Sequence, residues 1–365
     1  MEKVKQRDLR LDIIRIFSLF SVIGVHFFLN SGFYDQPVSG KKMFIMCVIR
    51  SFFIICVPMF ITLTGYLMNQ KELSKKYYKG ITKTLIIYFI CSIIYSIFRK
   101  LYLHEEVTIK TFIISILDFN GTAYSWYIEM YIGLFLLIPF LNLIFNNLKN
   151  KKQAQILLIT LILLIGIPSV VNIFNFDSLE WWQTPAINKK YVKLFPAWWT
   201  SIYPIFYYFL GAYLSKYTLK LSKKWNIIFL IILLISDGLF NFYRSHNYTY
   251  VYGTWNHYSS ATIMIITLLV FNLFLTIKVK NNTIKNNIFK IISEACLGGY
   301  LISCIFDKIY YNYLNTTIPN IIDRFTYAPL ITIAVFISSI ILSIAINFLY
   351  KLFRILFNAI IKNKV

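Results

Sequence analysis

Three ionisable side chains stand inside the first long apolar stretch of the sequence. Asp12, Arg15 and His26 lie within the segment Leu11–Leu29, whose other residues are mostly apolar. An ionisable group in a membrane segment costs about 2.5–3.5 kcal/mol on insertion scales, and it normally faces a cavity or a partner rather than lipid. Asp12 and Arg15 are three residues apart, which makes them neighbours on a helix surface. We therefore expect Asp12 to neutralise and orient Arg15.

Arg15 and His26 are predicted to share one face of this helix. At about 100° and about 1.5 Å per residue, their spacing brings them back to within roughly 20° of each other and separates them by roughly 16 Å along the axis. A ligand with an anionic head group and a long thin arm would fit this face. Coenzyme A has that shape, with phosphates for Arg15 and a pantetheine arm that would carry a thioester to His26. A proton relay would use similar residues, so the spacing alone leaves both readings open.

The elements that position these residues are predicted to be membrane helices. Of 365 residues, 58% are hydrophobic and 14% are charged, whereas about 25% of a soluble globular protein is charged. This number of charged residues is too small to cover a water-facing surface, and lipid must therefore solvate much of the chain. The expected fold class is all-α, a polytopic membrane helical bundle that forms a single transmembrane domain over residues 1–365. Its ten spans are expected at Leu11–Leu29, Phe44–Met68, Thr84–Phe98, Ser125–Ile144, Ala154–Ile173, Trp199–Leu214, Trp225–Phe242, Tyr258–Ile277, Ile288–Phe306 and Tyr327–Tyr350.

Basic clusters between these spans predict the orientation of the chain. The formal charge of +22 is carried by short Lys and Arg clusters at both ends of the sequence and after spans two, four, six and eight. Cytoplasmic loops carry an excess of Lys and Arg, so both termini are expected in the cytoplasm. Because the charge is not gathered on one face, we expect no nucleic-acid partner. The apolar segment Thr111–Leu117 is too short to span and is expected to be re-entrant or interfacial.

Further polar residues are expected near the depth of His26. Arg50 lies at the outer end of span two and Glu129 at the outer end of span four. Arg50 would steady an acceptor or a developing oxyanion. The five cysteines lie inside apolar segments and show no metal-ligand spacing, so no metal is expected.

Four parts of the chain resemble acyltransferase family 3, a family of integral membrane proteins. The most specific is Leu11–Arg15, followed after ten residues by His26, which is similar to that family's Arg-x10-His signature. The segments Val57–Leu67, Trp126–Leu134 and Phe209–Leu214 resemble other spans of the family. The resemblance covers essentially the whole chain.

The resemblance implies a ten-helix acyltransferase. Such proteins take an acyl group, commonly acetyl, from cytoplasmic acyl-CoA (acetyl-CoA) and place it on an outward-facing acceptor. The acceptor is often a hydroxyl of a cell-surface polysaccharide or lipid-linked sugar. The family's essential arginine and histidine map onto Arg15 and His26. Richness in Lys, Ile and Asn is typical of an AT-rich bacterial genome, so the expected location is a bacterial cell membrane.

Site residues follow from the resemblance together with the charges. The expected donor-binding residues are Arg15, Asp12, Lys79 and Lys83. At the two cytoplasmic lysines the family often has arginine, and lysine keeps the charge without the bidentate fork. The expected acceptor-binding residues are Arg50, Glu129 and Trp126.

The mechanism and its rivals stay open at this point. His26 would act as a general base on the acceptor hydroxyl, which suits a histidine near neutral pH. A covalent acyl-histidine intermediate would use the same residue. The main alternative is an exporter or flippase of a polysaccharide or lipid-linked sugar. Transporters usually have paired halves and broken helices at the midplane, and the sequence shows no internal repeat.

Overall fold

The chain folds into a helical bundle. In the computed structural model the described residues are 7–279 and 282–362, and no side chain is described at 353 or from 355 onward. Residues 1–6 and 363–365, which carry part of the terminal basic clusters, lie outside these ranges. Within them there are helices, short 3-10 turns and one isolated bridge, between Val38 and His246. The helices are α1 (Leu9–Asn30), α2 (Gly40–Phe53), α3 (Cys56–Met68), α4 (Lys75–Tyr78), α5 (Thr82–Leu101), α6 (Ile109–Leu117), α7 (Trp126–Asn146), α8 (Lys151–Leu161), α9 (Ile167–Val171), α10 (Leu179–Gln183), α11 (Tyr203–Lys216), α12 (Lys223–Ser245), α13 (Ala261–Leu275), α14 (Thr283–Thr317), α15 (Ile321–Arg324) and α16 (Ala328–Lys362).

Nine helical segments of the described residues are long and apolar enough to cross a membrane. They correspond to nine of the ten predicted spans and confirm an all-α, multi-pass membrane bundle. The remaining span, expected at Trp199–Leu214, is α11, whose 14 residues reach only about 21 Å at 1.5 Å per residue. α6, which covers the short segment Thr111–Leu117, has no buried residue.

Close contact at two glycines, one on α3 and one on α11, explains why the segments Val57–Leu67 and Phe209–Leu214 each contain a glycine. A Cβ on Gly65 would lie 2.0 Å from the backbone oxygen of Tyr208, and a Cβ on Gly211 would lie 1.9 Å from that of Thr62. Only a residue without a side chain permits so close an approach of two helix backbones. The contact fixes α3 against α11 and so holds the α3 residues that line the site.

The second span is broken in its middle. α2 ends at Phe53 and α3 begins at Cys56. Pro58 has no N–H to donate to the carbonyl of Ile54, so a continuous helix would lose that hydrogen bond. Arg50 in the last turn of α2 and Val57 in the first turn of α3 both border the site described next.

The centre of the bundle is α1. It packs against α14 and α3 and also contacts α16 and α2. α14 has 35 residues and continues to Thr317, past Phe306, where the predicted span ends. The sequence becomes less apolar after Phe306 because α14 meets polar partners inside the bundle there, but the helix continues. The residue after the predicted end, Asp307, is therefore helical and buried.

Candidate active site

Two cavities lie along α1 and meet near its middle. The larger, which we call the His26 cavity, has a volume of about 740 Å³ and includes His26 in its lining. The smaller, the Arg15 cavity, has a volume of about 220 Å³ and includes Arg15. Three residues line both: Val22 of α1, Val57 of α3 and Tyr300 of α14. We call these three residues the septum, because they stand where one cavity ends and the other begins.

His26 lies against a buried carboxylate. Its Nδ1 atom is 3.4 Å from Oδ2 of Asp307, a residue of α14 that is 1% exposed. This distance exceeds that of a good hydrogen bond, and Nδ1 has no hydrogen-bond partner. Catalytic hydrogen bonds are often long in the unliganded state and shorten when substrate binds. Because Nδ1 faces Asp307, Nε2 is the ring nitrogen left for the cavity.

Tyr124 holds both members of this pair. Its ring is tilted against the imidazole of His26 at a centroid distance of 3.8 Å, and its hydroxyl donates to Oδ2 of Asp307 at 2.7 Å. Burial, followed by the negative charge of Asp307, raises the pKa of Tyr124 well above its ordinary value. The phenol therefore stays protonated and remains a donor to the carboxylate. The hydroxyl of Tyr300 in turn donates to the backbone oxygen of Tyr124.

This arrangement can support general base chemistry. A carboxylate beside Nδ1 favours the tautomer with the proton on that atom and leaves Nε2 free to accept one. The carboxylate also stabilises the imidazolium that forms when Nε2 takes a proton. His257 also lines the larger cavity, but its Nδ1 lies 3.4 Å from the hydroxyl of Ser259, whereas His26 is backed by a carboxylate and is therefore the better equipped of the two to deprotonate a hydroxyl.

Arg15 occupies the smaller cavity in a partly open position. Its side chain is 29% exposed, and its Nη1 atom donates to Oγ of Ser293 at 2.7 Å. The remaining lining is largely apolar and aromatic, from α3, α5, α7 and α14. A partly exposed guanidinium in the lining of a mostly apolar cavity suits a ligand with an anionic part and an uncharged arm.

Asp12 pairs with Arg15 as expected and has a second arginine partner as well. It lies 3.6 Å from Arg15 as an ion pair three residues apart, but its closer partner is Arg7. Arg7 donates from Nε to Oδ2 at 2.7 Å and from Nη2 to Oδ1 at 2.6 Å. Arg7 precedes α1, so helical spacing does not predict its contact with Asp12. Asp12 thus organises two arginines rather than one.

The family match covers the whole of this site. A family model described as an acyltransferase domain, that of acyltransferase family 3, matches residues 8–348. The chain belongs to this family. It is a multi-pass membrane acyltransferase, and the matched region contains both cavities and all three septum residues. No curated protein and no solved structure matches the chain.

In this acyltransferase the structure also brings Arg50 and Trp126 to the His26 cavity. Arg50 is 3% exposed and Trp126 is 42% exposed. They come from α2 and α7, which the sequence alone does not pair. Two of the three expected acceptor residues thus line the same cavity as His26.

Glu129 lies elsewhere. It is in the first turn of α7 and is exposed, whereas the same helix presents Tyr127 and Tyr131 to the Arg15 cavity. α7 is apolar around most of its circumference, so the sequence did not show which of its faces points inward. Glu129 does not line either cavity.

Neither of the two lysines lines the Arg15 cavity. Lys79 and Lys83 are both exposed, and Lys83 Nζ stands 6.0 Å from the ring centre of Tyr350. Thr84, the next residue, does line the cavity. Among the described residues no group of three or more His, Cys, Asp and Glu could hold a metal ion.

Proposed function

We propose that this protein transfers an acyl group from acyl-CoA to a hydroxyl of a cell-surface polysaccharide or lipid-linked sugar. Acetyl is the acyl group to test first. The observation that supports it is the pair of cavities that meet at the septum. One cavity has a partly open arginine, and the other has a histidine backed by a carboxylate. A donor and an acceptor entering from opposite ends of the bundle would meet there.

The donor would enter the Arg15 cavity. At about 220 Å³ this cavity is smaller than the roughly 300–1,000 Å³ of sites that enclose a drug-sized ligand. It suits a thin arm rather than a whole nucleotide. The phosphates would then stay near Arg15, where the exposed Lys83 beside Thr84, and with it Lys79, would add positive charge, and the thioester would reach Val22.

The acceptor would enter the His26 cavity. Nε2 of His26 takes the proton of the hydroxyl, the oxygen attacks the thioester carbonyl, and the carbon–sulfur bond breaks. The proton then passes from His26 to the leaving sulfur, so that an ester and free coenzyme A thiol result. A route through an acyl-His26 intermediate would instead leave an adduct that mass spectrometry can trap.

The proposed orientation follows the basic loops. With both termini in the cytoplasm of a bacterial cell, the Arg15 cavity faces the cytoplasm, where acyl-CoA is made, and the His26 cavity faces outward, where envelope glycans lie. The single domain of residues 1–365 would then carry out the whole reaction.

The test is transfer of label from radiolabelled acetyl-CoA by protein purified in lipid nanodiscs, with and without a cell-envelope polysaccharide extract. We expect label on the polymer with wild type and none with Arg15→Ala or His26→Ala. The matched control is His246→Ala, since His246 is exposed and lies outside both cavities. It should transfer label like wild type.

Two results would count against the proposal. Label transfer that survives both changes in folded protein would remove the first helix from the chemistry. Absence of label from wild type with several acyl donors, in a folded sample that binds coenzyme A, would favour an exporter or flippase.

A further inference from the structure

Arg50 is a buried cation without a carboxylate partner. Its side chain is 3% exposed and lines the His26 cavity. Its Nε donates to the hydroxyl of Tyr34 at 2.8 Å, and its guanidinium carbon lies 4.6 Å from the ring centre of Tyr250 and 5.7 Å from that of Tyr252. Nη1 is buried and has no hydrogen-bond partner.

The nearby carboxylates are committed to other groups. Asp237 is near enough for its charge to interact with that of Arg50, but the two form no salt bridge, and its Oδ2 accepts from Ser51 at 2.6 Å and from Asn241 at 2.9 Å. Asp307 lies against His26 and accepts from Tyr124. In the part of the chain that the structure describes, no Asp or Glu lines the His26 cavity. No carboxylate there lies within 4.0 Å of the guanidinium. Arg50 is thus the one permanent charge among the lining residues of that cavity.

The surrounding tyrosines do not neutralise this charge. Burial is the main cause that raises the pKa of Tyr250 and of Tyr252 above the ordinary value. Both phenols therefore stay neutral beside the guanidinium. Ring faces attract a cation, but a buried charge normally needs a counter-charge and hydrogen bonds to offset its desolvation. The missing partner is an anion with acceptor oxygens for Nη1.

We propose that the His26 cavity selects an acceptor that carries an anionic group, a carboxylate or a phosphate, bound by Arg50. The role of His26 on the hydroxyl of that acceptor rests on the function proposed above. Arginine pairs with such oxygens through two parallel hydrogen bonds. One end of the acceptor is then fixed at Arg50 while a hydroxyl elsewhere on it faces Nε2. A neutral sugar would lack this anchor.

The test measures binding without turnover. Thermal unfolding of detergent-solubilised protein is followed while one of three probes is titrated: a methyl hexopyranoside, its uronic acid or its 6-phosphate. The proteins are wild type, Arg50→Gln and the control Lys42→Gln. Lys42 is on the same helix but is exposed and outside the cavity, so its change removes an equal charge. A ligand of the folded state raises the midpoint according to its affinity.

We expect wild type and Lys42→Gln to bind at least one anionic probe in preference to the neutral one. Arg50→Gln should bind that probe about ten- to a hundred-fold more weakly, as for loss of a charge-assisted hydrogen bond. Arg50→Lys should fall between, because it keeps the charge and loses the fork. The ranking of uronic acid against phosphate identifies which anion the site takes.

Three results would overturn the proposal: equal shifts with the neutral probe, no shift of wild type with either anionic probe, or unchanged affinity in Arg50→Gln. If Arg50→Gln does not fold, the comparison of probes on wild type and Arg50→Lys decides. Acetyl transfer is measured in parallel. Selective anion binding without any transfer by wild type would keep the anion site and reject the acyltransfer step, so the two failures are distinguishable.

Discussion

Replacing Asp307 with asparagine tests whether His26 works as a base supported by a carboxylate. The change removes one negative charge 3.4 Å from Nδ1 of His26. It keeps the size of the side chain and an oxygen that can accept the hydrogen bond from Tyr124. Asp307 lines neither cavity, so binding of donor and acceptor should change little. The effect should therefore fall on kcat rather than on KM.

The magnitude follows from the distance. At 3.4 Å and an effective dielectric constant of about 20, a full charge on His26 and the carboxylate attract each other by about 5 kcal/mol. With the proton half transferred in the transition state, about half of this is lost, or about 2.4 kcal/mol, which corresponds to roughly 60-fold in rate. A second effect would add to this loss. An asparagine amide that donates to Nδ1 would leave the proton on Nε2 and remove the base.

The assay is steady-state acetyl transfer from acetyl-CoA in nanodiscs, with kcat and both KM values determined. The matched control is Asp323→Asn, since Asp323 is exposed and pairs with an exposed lysine. It should retain the wild-type kcat. Thermal unfolding of each variant shows whether the fold is kept.

A folded Asp307→Asn protein with wild-type kcat would refute the reasoning. A large rise in the KM of the acceptor with little change in kcat would also do so, because Asp307 would then support binding rather than the base.

Three further changes probe other parts of the molecule. Gly65→Ala should destabilise the fold by about 1–3 kcal/mol through overpacking against α11, as measured by thermal unfolding, whereas Gly133→Ala, which meets no atom within 4 Å, should be neutral or slightly stabilising. Val22→Trp should block the septum and slow acetyl transfer at least tenfold, because the larger ring fills the passage of the thioester, and thermal unfolding of the variant shows whether this buried position tolerates the ring. Hydrogen bonds from Arg10 lower the pKa of the Asp8 carboxyl in the folded protein. The ionised carboxylate therefore stabilises the folded state at pH values above its ordinary pKa near 3.8. This stabilisation is lost as the pH falls through the lowered pKa of the folded state. Asp8→Asn should therefore lower the free energy of unfolding by less than about 1 kcal/mol at pH 7 and by less still near pH 3. An equal loss at both pH values would contradict this.

The length of each apolar segment largely determines which helices are predicted and how deep in the membrane their residues are expected to lie. Insertion energy depends on composition over a span, so the sequence identified the segments that carry Arg15, His26 and Arg50. Helical periodicity also predicted that Arg15 and His26 share a face. These are properties of one helix at a time.

The partners of those residues depend on which helices pack together. Asp307 is separated from His26 by most of the chain and stands one residue beyond the predicted end of its span. No local pattern links the two. The available signal in the sequence was an Asp directly after an apolar run that contains small residues such as Gly298 and Gly299. Glu129 shows the opposite error, since its depth was predicted but its helix face was not.

The septum of Val22, Val57 and Tyr300 has a consequence for the electrical balance of the membrane. An acyl group that passes from the Arg15 cavity to the His26 cavity leaves its electron pair on sulfur, so it moves formally as a cation. If the hydroxyl proton travels the opposite way to that sulfur, each turnover exchanges an acyl group for a proton and moves no net charge. If the proton instead stays on the acceptor side, one positive charge is displaced, at about 2.3 kcal/mol per 100 mV. Return of the proton through the septum would therefore make the enzyme indifferent to membrane potential, so that it runs equally well in energised and in depolarised cells.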